Sequence, residues 1–197
     1  MRNFRQTTRI ILWITSINLL TSCFNDKIEI VKPGIIPAPL SQIINEGSFV
    51  IDNSTGIKFD KEFNQVASFT KAFIENGSEI KIQDSTSFKN ISFIKDTTLL
   101  EDEAYSLEVN TKEILIKSKT SRGAFYGFQS LRQLLPASFE NGTFNNNAVS
   151  VQNIEIKDAP RFTYRGMHLD VGRHFFSVEF IKKYIDLMAM LKMNTFH

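Results

Sequence analysis

The chain is short of the residues that staple small folds or gather metals. It has one cysteine, Cys23, in 197 residues, which excludes an intramolecular disulfide, a zinc ribbon and any multi-cysteine cluster. One tryptophan stands against 18 phenylalanines; that supplies core material without marking a function. Charge of either sign is nearly absent in the balance: 23 basic and 21 acidic residues leave a net charge of +2, too little to recruit nucleic acid or an anionic surface. No internal repeat is visible. What remains is ordinary globular material, 42% apolar and 22% charged, enough for one domain and part of a second. Nothing in it calls for a metal or another cofactor.

The amino terminus reads as an address. Arg2, Arg5 and Arg9 form a positive region ahead of the apolar run Ile10 to Leu20. That run is short for a bilayer span and suits the apolar core of a signal peptide. It ends in Leu20-Thr21-Ser22-Cys23, which resembles the lipobox of bacterial lipoproteins: a branched apolar residue, two small residues and the cysteine that is acylated. The sole cysteine falling there favours this over a plain cleaved signal or a short core helix. Residues 1–23 are therefore expected to be a lipoprotein signal with Cys23 as the lipidation site, and 24–32 a tether. The anchor would place the protein in the bacterial cell envelope, on the outer membrane, facing either the periplasm or the outside.

Residues 33–157 read as a small α+β domain with an antiparallel or mixed sheet. Ser48 to Asp52 has strand character, and Asn53 to Gly56 reads as a turn. Lys61 to Glu75 is expected to be helical, with Phe63, Val66, Ala67, Thr70 and Ile74 on one face, ended by Gly77 in a left-handed cap. Glu79 to Gln83 and Ile91 to Lys95 alternate as strands. Tyr105 to Val109 and Glu113 to Ser118 form a predicted hairpin. Ser121 to Leu135 is a second amphipathic helix, stopped by Pro136, and Val149 to Ile156 a last strand.

From Ala159 the pattern changes to strand, polar turn, helix and the start of a strand, the repeat that builds parallel sheets and barrels. Arg165 to Val171 is the strand. Ser177 is the predicted N-cap, with Glu179 in the first turn. Ile181, Ile185 and Met188 mark the helix face, Asn194 closes the helix, and Thr195 begins the next strand.

Two stretches resemble glycoside hydrolase family 20, the β-N-acetylhexosaminidases. One is Ser121-Arg122-Gly123-Ala124-Phe125-Tyr126-Gly127-Phe128-Gln129-Ser130-Leu131, similar to the helix of the family's accessory domain, with Glu103 to Leu107 and Ile114 to Ile116 matching the hairpin before it. The other is Pro160-Arg161-Phe162, then Arg165-Gly166, then Leu169-Asp170-Val171-Gly172-Arg173-His174-Phe175-Phe176, similar to the first barrel strand and its loop. The resemblance implies that 33–157 is the accessory α+β domain and that 158–197 is the first βα unit and the start of the second strand of a (β/α)8 TIM barrel.

The resemblance also implies roles. Arg173 matches the arginine that holds the hydroxyls at carbons 3 and 4 of the terminal sugar; a guanidinium offers donors in a fixed plane suited to that grip, and barrel sites lie past the C-terminal ends of the strands. Outside that context Arg173 would read as an arginine capping a surface turn. Asp170 is expected to support the pocket from behind, as an ion-pair partner for a barrel arginine. His174 either shapes the pocket or packs among Phe175 and Phe176. Arg165 reads as structural, His168 as barrel interior, and His197 carries no assigned chemistry.

The activity implied is removal of terminal β-linked N-acetylhexosamine from glycans by a retaining mechanism in which the substrate's own acetamido oxygen is the nucleophile. An adjacent Asp-Glu pair on the fourth barrel strand then orients that group and supplies the proton. Glu101-Asp102-Glu103, in a loop expected to be solvated, is no substitute, so the 197-residue chain is expected to be inactive, with Arg161 to His197 frayed or docked on the accessory domain. N-acetylhexosamine glycans and the membrane are the expected partners, and nucleic acid is not. The oligomeric state is left open. Competing readings are a non-catalytic carbohydrate-binding surface lipoprotein and a barrel lipoprotein of another family.

Overall fold

The computed structural model describes residues 34–84 and 87–197. The apolar run Ile10 to Leu20, Cys23 and the tether lie outside the described residues.

A seven-stranded mixed sheet runs in the order β1-β7-β5-β6-β4-β2-β3. Its strands are β1 (Ser41–Asp52), β2 (Thr55–Phe59), β3 (Gln83–Asp84), β4 (Lys89–Lys95), β5 (Tyr105–Val109), β6 (Glu113–Ser118) and β7 (Ala148–Asp158). The predicted hairpin β5–β6 pairs Leu107 with Ile116 in antiparallel register. β7 joins β5 to β1, both antiparallel. β6, β4, β2 and β3 run parallel to one another, so β2 to β4 is a crossover through helix α1 (Asn64–Gly77).

Helix α2 (Ser121–Leu134) begins at Thr120, whose hydroxyl accepts from the Gly123 amide. Its buried residues include Ala124, Gly127, Phe128 and Leu131, and they sit on β5 and β6. The helix comes close because Gly123 and Gly127 have no side chain: a Cβ on Gly127 would lie 2.7 Å from Ile116 Cγ2. Edge-to-face rings join α1 to α2, Phe73 on Phe128 and Phe69 on Phe125. Phe63, Phe93, Ile91, Ile116 and Leu131 are fully buried beneath. Each such side chain stabilises the fold by about 1.5–3 kcal/mol relative to exposure.

Local departures from the sequence expectations have physical reasons. β1 is longer than Ser48 to Asp52, continuing past an irregularity between Ile44 and Ser48 to Ser41. Residues expected in a turn, Thr55 and Gly56, already belong to β2. Gly77 is not left-handed; it is the last residue of α1, and Ser78 ends the helix in extended backbone, its hydroxyl donating to the Ile74 carbonyl at 2.7 Å. Gly77 serves close packing instead, since a Cβ there would meet the Phe139 ring and carbonyl at 2.8 Å. The expected strand Glu79 to Gln83 pairs only from Gln83 onward. Ile80 and Ile82 do point inward, but side chains take the amides: Ser78 accepts from Ile80, Asn53 from Lys81 and Glu75 from Ile82.

The barrel-like unit follows: β8 (Gly166–Met167), α3 (Val178–Met190) and β9 (Thr195–Phe196), with β8 and β9 parallel. Ser177 caps α3 as expected, its hydroxyl accepting from the Phe180 amide at 3.2 Å. The strand expected over Arg165 to Val171 pairs only at Gly166 and Met167. α3 ends at Met190 rather than at Asn194, and Lys192 takes the left-handed backbone, with φ 57. Of the face expected on α3, Met188 is buried and Ile185 is 47% exposed. The unit is docked, not frayed: Met188 packs toward Phe69 and Phe125 across a groove of about 440 Å³, and Gln133 donates to the Met190 carbonyl at 3.2 Å.

Candidate functional site

The loop after β8 is built on Asp170. One carboxylate oxygen accepts from the amides of Gly172 at 2.9 Å and Arg173 at 3.3 Å. The other lies 3.3 Å from Arg173 Nε. The Arg173 side chain is 92% exposed, so the ion pair contributes little stability; what Asp170 provides is direction. The backbone of Arg173 is fixed while the outer face of its guanidinium stays free of the protein. Asp170 thus pairs with the arginine of its own loop.

An aromatic ladder steadies this loop from the other side. His174 meets Phe176 edge-on at 4.9 Å, and Phe176 stacks on Phe180 at 4.6 Å. Phe180 continues to Tyr184 at 6.1 Å and Tyr184 to Phe196 at 5.4 Å. Phe176, Phe180 and Tyr184 recur at the spacing that places helical side chains one above another. The aliphatic face singled out in the sequence concealed this ladder, though its spacing was there to read. Phe175 is exposed, so His174 packs on Phe176 alone. His168, expected in the barrel interior, is exposed in this chain: its Nδ1 lies 3.0 Å from that of His197 on the neighbouring strand end, and nothing among the described residues covers that face.

At the opposite end of β8 lies a second cluster of charges. Arg165 donates to Glu103 Oε2 at 2.8 Å, to the Tyr126 hydroxyl at 3.1 Å, and to the carbonyls of Phe162 and Lys192 at 2.7 and 2.8 Å. Its guanidinium also lies 5.4 Å from the centre of the Tyr126 ring. Glu103 is therefore not solvated, as expected of its loop, but part of the boundary between the two units, its side chain 12% exposed. The only adjacent Asp-Glu step in the chain, Asp102-Glu103, is taken up here: Asp102 pairs with Lys119 at 3.2 Å.

Beside Arg165, the buried Lys192 donates to Asp158 Oδ2 at 2.9 Å and to the Tyr105 hydroxyl at 2.8 Å. Tyr105 in turn shares a hydrogen bond with Ser130 Oγ at 2.6 Å. Burial lowers the Lys192 pKa against the pull of Asp158, which favours the charged form. Burial raises the Tyr105 phenol well above its ordinary range, and the Asp158 carboxylate adds to that. Burial likewise raises Tyr126. Sequence reading missed Lys192 and Asp158, which come together only in the fold. A cavity of about 360 Å³ opens over this cluster, lined also by Leu40, Pro160 and Phe162. Arg165 with Glu103 and Lys192 with Asp158 are satisfied by one another, and Arg173 does not line it. Among the described residues no group of His, Cys, Asp or Glu is placed to hold a metal ion, and no helix is long and apolar enough to cross a membrane.

Two family models match in succession: glycosyl hydrolase family 20, domain 2, over residues 32–159, and the family 20 catalytic domain over residues 162–197. A β-hexosaminidase of Porphyromonas gingivalis is 41% identical over 169 residues, 83% of this chain and 22% of that protein. The N,N'-diacetylchitobiase of Vibrio harveyi is 32% identical over 85% of this chain and 18% of its own length. Among solved structures, the family 20 β-N-acetylhexosaminidase of Streptomyces coelicolor superimposes with a TM-score of 0.77 at 32% identity, covering 83% of this chain and 34% of that one. The β-N-acetylhexosaminidase of Bacteroides fragilis gives 0.66 at 30% identity, covering 83% and 32%. This chain thus spans about a fifth of the curated relatives' length. With its helix-covered mixed sheet matched to domain 2 and its βα unit to the start of the catalytic domain, the chain belongs to glycoside hydrolase family 20.

Proposed function

We propose that the whole protein removes terminal β-linked N-acetylhexosamine from glycans, and that this chain contributes its accessory domain and one sugar-binding side chain, Arg173. The observation that carries the reading is the presentation of Arg173. It stands just past the C-terminal end of the first parallel strand, where barrel enzymes build their sites, with its backbone held by Asp170 and its guanidinium open. A planar set of donors there suits two neighbouring sugar hydroxyls. Bonds to those hydroxyls place the sugar ring so that its acetamido oxygen can reach carbon 1, the substrate-assisted route. The acid that protonates the leaving oxygen, and the aspartate beside it, belong to later barrel strands. Asp102 and Glu103 are unavailable for that work because both are committed to ion pairs. Names of relatives support the substrate class: one solved relative, from Vibrio harveyi, was determined with N-acetylglucosamine bound. Anchoring through Cys23 in the outer membrane belongs to the same proposal.

The test compares two substrates. The whole protein should release the aryl group from an aryl N-acetyl-β-glucosaminide and leave the aryl β-glucoside, which lacks the acetamido group, essentially intact. The 197-residue chain should hydrolyse neither. Equal cleavage of both substrates would contradict acetamido participation, and turnover by the short chain would contradict the placement of the acid.

A further inference from the structure

Among the described residues, Lys192 is the one non-glycine residue with positive φ. Side chains disfavour that conformation, and glycine or asparagine usually fills it at a helix end. A lysine there is explained by what its ammonium reaches. Lys192 Nζ bonds Asp158 and Tyr105 in the accessory domain and lies 5.1 Å from the centre of the Tyr105 ring. Tyr105 is held in turn by Ser130 of α2. From the same residue the main chain leads back to the first barrel strand. The Lys192 carbonyl accepts from Arg165 Nε at 2.8 Å, the Arg165 carbonyl accepts from the Asn194 amide at 3.0 Å, and Asn194 Oδ1 accepts from the Arg165 amide at 3.0 Å. Arg165 directly precedes β8, and β8 leads into the Asp170 turn that presents Arg173.

We infer that Lys192 is a positioning residue for Arg173. By tying the turn between α3 and β9 to the accessory domain, it sets where β8 stands and so where the sugar-binding guanidinium is offered. The accessory domain acts in this way as the reference surface for the sugar site. The inference rests on the reading that Arg173 holds the sugar.

Two measurements test it. In the 197-residue chain, Lys192→Met should speed amide hydrogen exchange over residues 165–173 while leaving β5, β6 and α2 protected. Unchanged protection of 165–173 overturns the pinning, and collapse of protection throughout β5, β6 and α2 overturns a role confined to the boundary. In the whole protein, Lys192→Met should lower kcat/KM on the aryl N-acetyl-β-glucosaminide about tenfold or more, the scale of a small misplacement of a binding group. Lys192→Gly, which relaxes the backbone but removes the ammonium, should lose as much; wild-type activity in it overturns the inference. The double variant with Arg173→Lys should lose no more than Arg173→Lys alone, since one residue acts through the other. Losses that multiply overturn the inference. A near-normal Arg173→Lys overturns the reading of Arg173 and the purpose assigned to Lys192, while the exchange measurement decides the pinning by itself.

Discussion

Arg165 Nη2 and Glu103 Oε2 stand 2.8 Å apart across the boundary between the accessory domain and the barrel unit, their side chains only 15% and 12% exposed. Breaking one side of a largely buried pair leaves an uncompensated charge, at a cost of about 3 kcal/mol. Arg165→Met should therefore lower the urea midpoint markedly. Arg122, 4.0 Å from the other Glu103 oxygen and 68% exposed, is too distant and too hydrated to replace it. Glu103→Gln retains an acceptor for the guanidinium and should cost less. Equal losses in the two variants would show that the charge of Glu103, and not merely an acceptor for the guanidinium, is what holds Arg165.

The glycines of α2 give a second prediction. Gly127→Ala would drive a methyl against Ile116 Cγ2 and to 3.2 Å from Tyr105 Cδ2, an overpacking that costs about 1–3 kcal/mol. Gly123→Ala should cost more, because the atom in its way is the Ala104 carbonyl oxygen, a main-chain atom that cannot rotate aside. Gly34→Ala, with nothing within 4 Å, is the control. Thermal unfolding should rank them Gly34, Gly127, Gly123 in order of increasing loss.

Those glycines show how much of the fold was legible. Gly123 and Gly127 were visible as a motif, and the α2 register, the β5–β6 hairpin and the Ser177 cap follow from local pattern. β2 was not legible, because Thr55 and Gly56 carry turn chemistry and become a strand only through parallel pairing with β4. Ile80 and Ile82 alternate like a strand, yet their amides are taken by the side chains of Ser78 and Glu75 rather than by a neighbouring strand. In the site, Arg173 and Asp170 could be named because they sit in one loop. Lys192 could not, since its partners Asp158 and Tyr105 lie 34 and 87 residues away.

Alkaline stability depends on the buried phenols. Folding raises the pKa of Tyr105 and Tyr126 above the ordinary value of 10.0. Above pH 10.0 the unfolded chain releases these protons while the folded chain keeps them, so stability falls as pH rises. Each such group gives a slope of about 1.4 kcal/mol per pH unit. Lys192 acts with the opposite sign, since its folded pKa is lowered: stability rises between that pKa and its ordinary 10.5. Above 10.5 the tyrosines therefore govern. Tyr105→Phe should flatten the alkaline limb of a denaturation-midpoint-against-pH curve, whatever it costs at neutral pH. An unchanged slope would contradict the burial argument.

The address at the amino terminus is tested by fractionation. Wild-type protein should sediment with membranes and partition into detergent, whereas Cys23→Ser should appear in soluble fractions. Membrane association unchanged by the substitution would count against lipidation at Cys23.

The most direct test of the central claim is the kcat/KM of the whole protein and its Arg173→Lys variant on an aryl N-acetyl-β-glucosaminide. Lysine keeps the charge but offers a point donor in place of a planar pair. The account predicts a loss of orders of magnitude with the fold intact by thermal melting. Near-normal turnover by Arg173→Lys would contradict it.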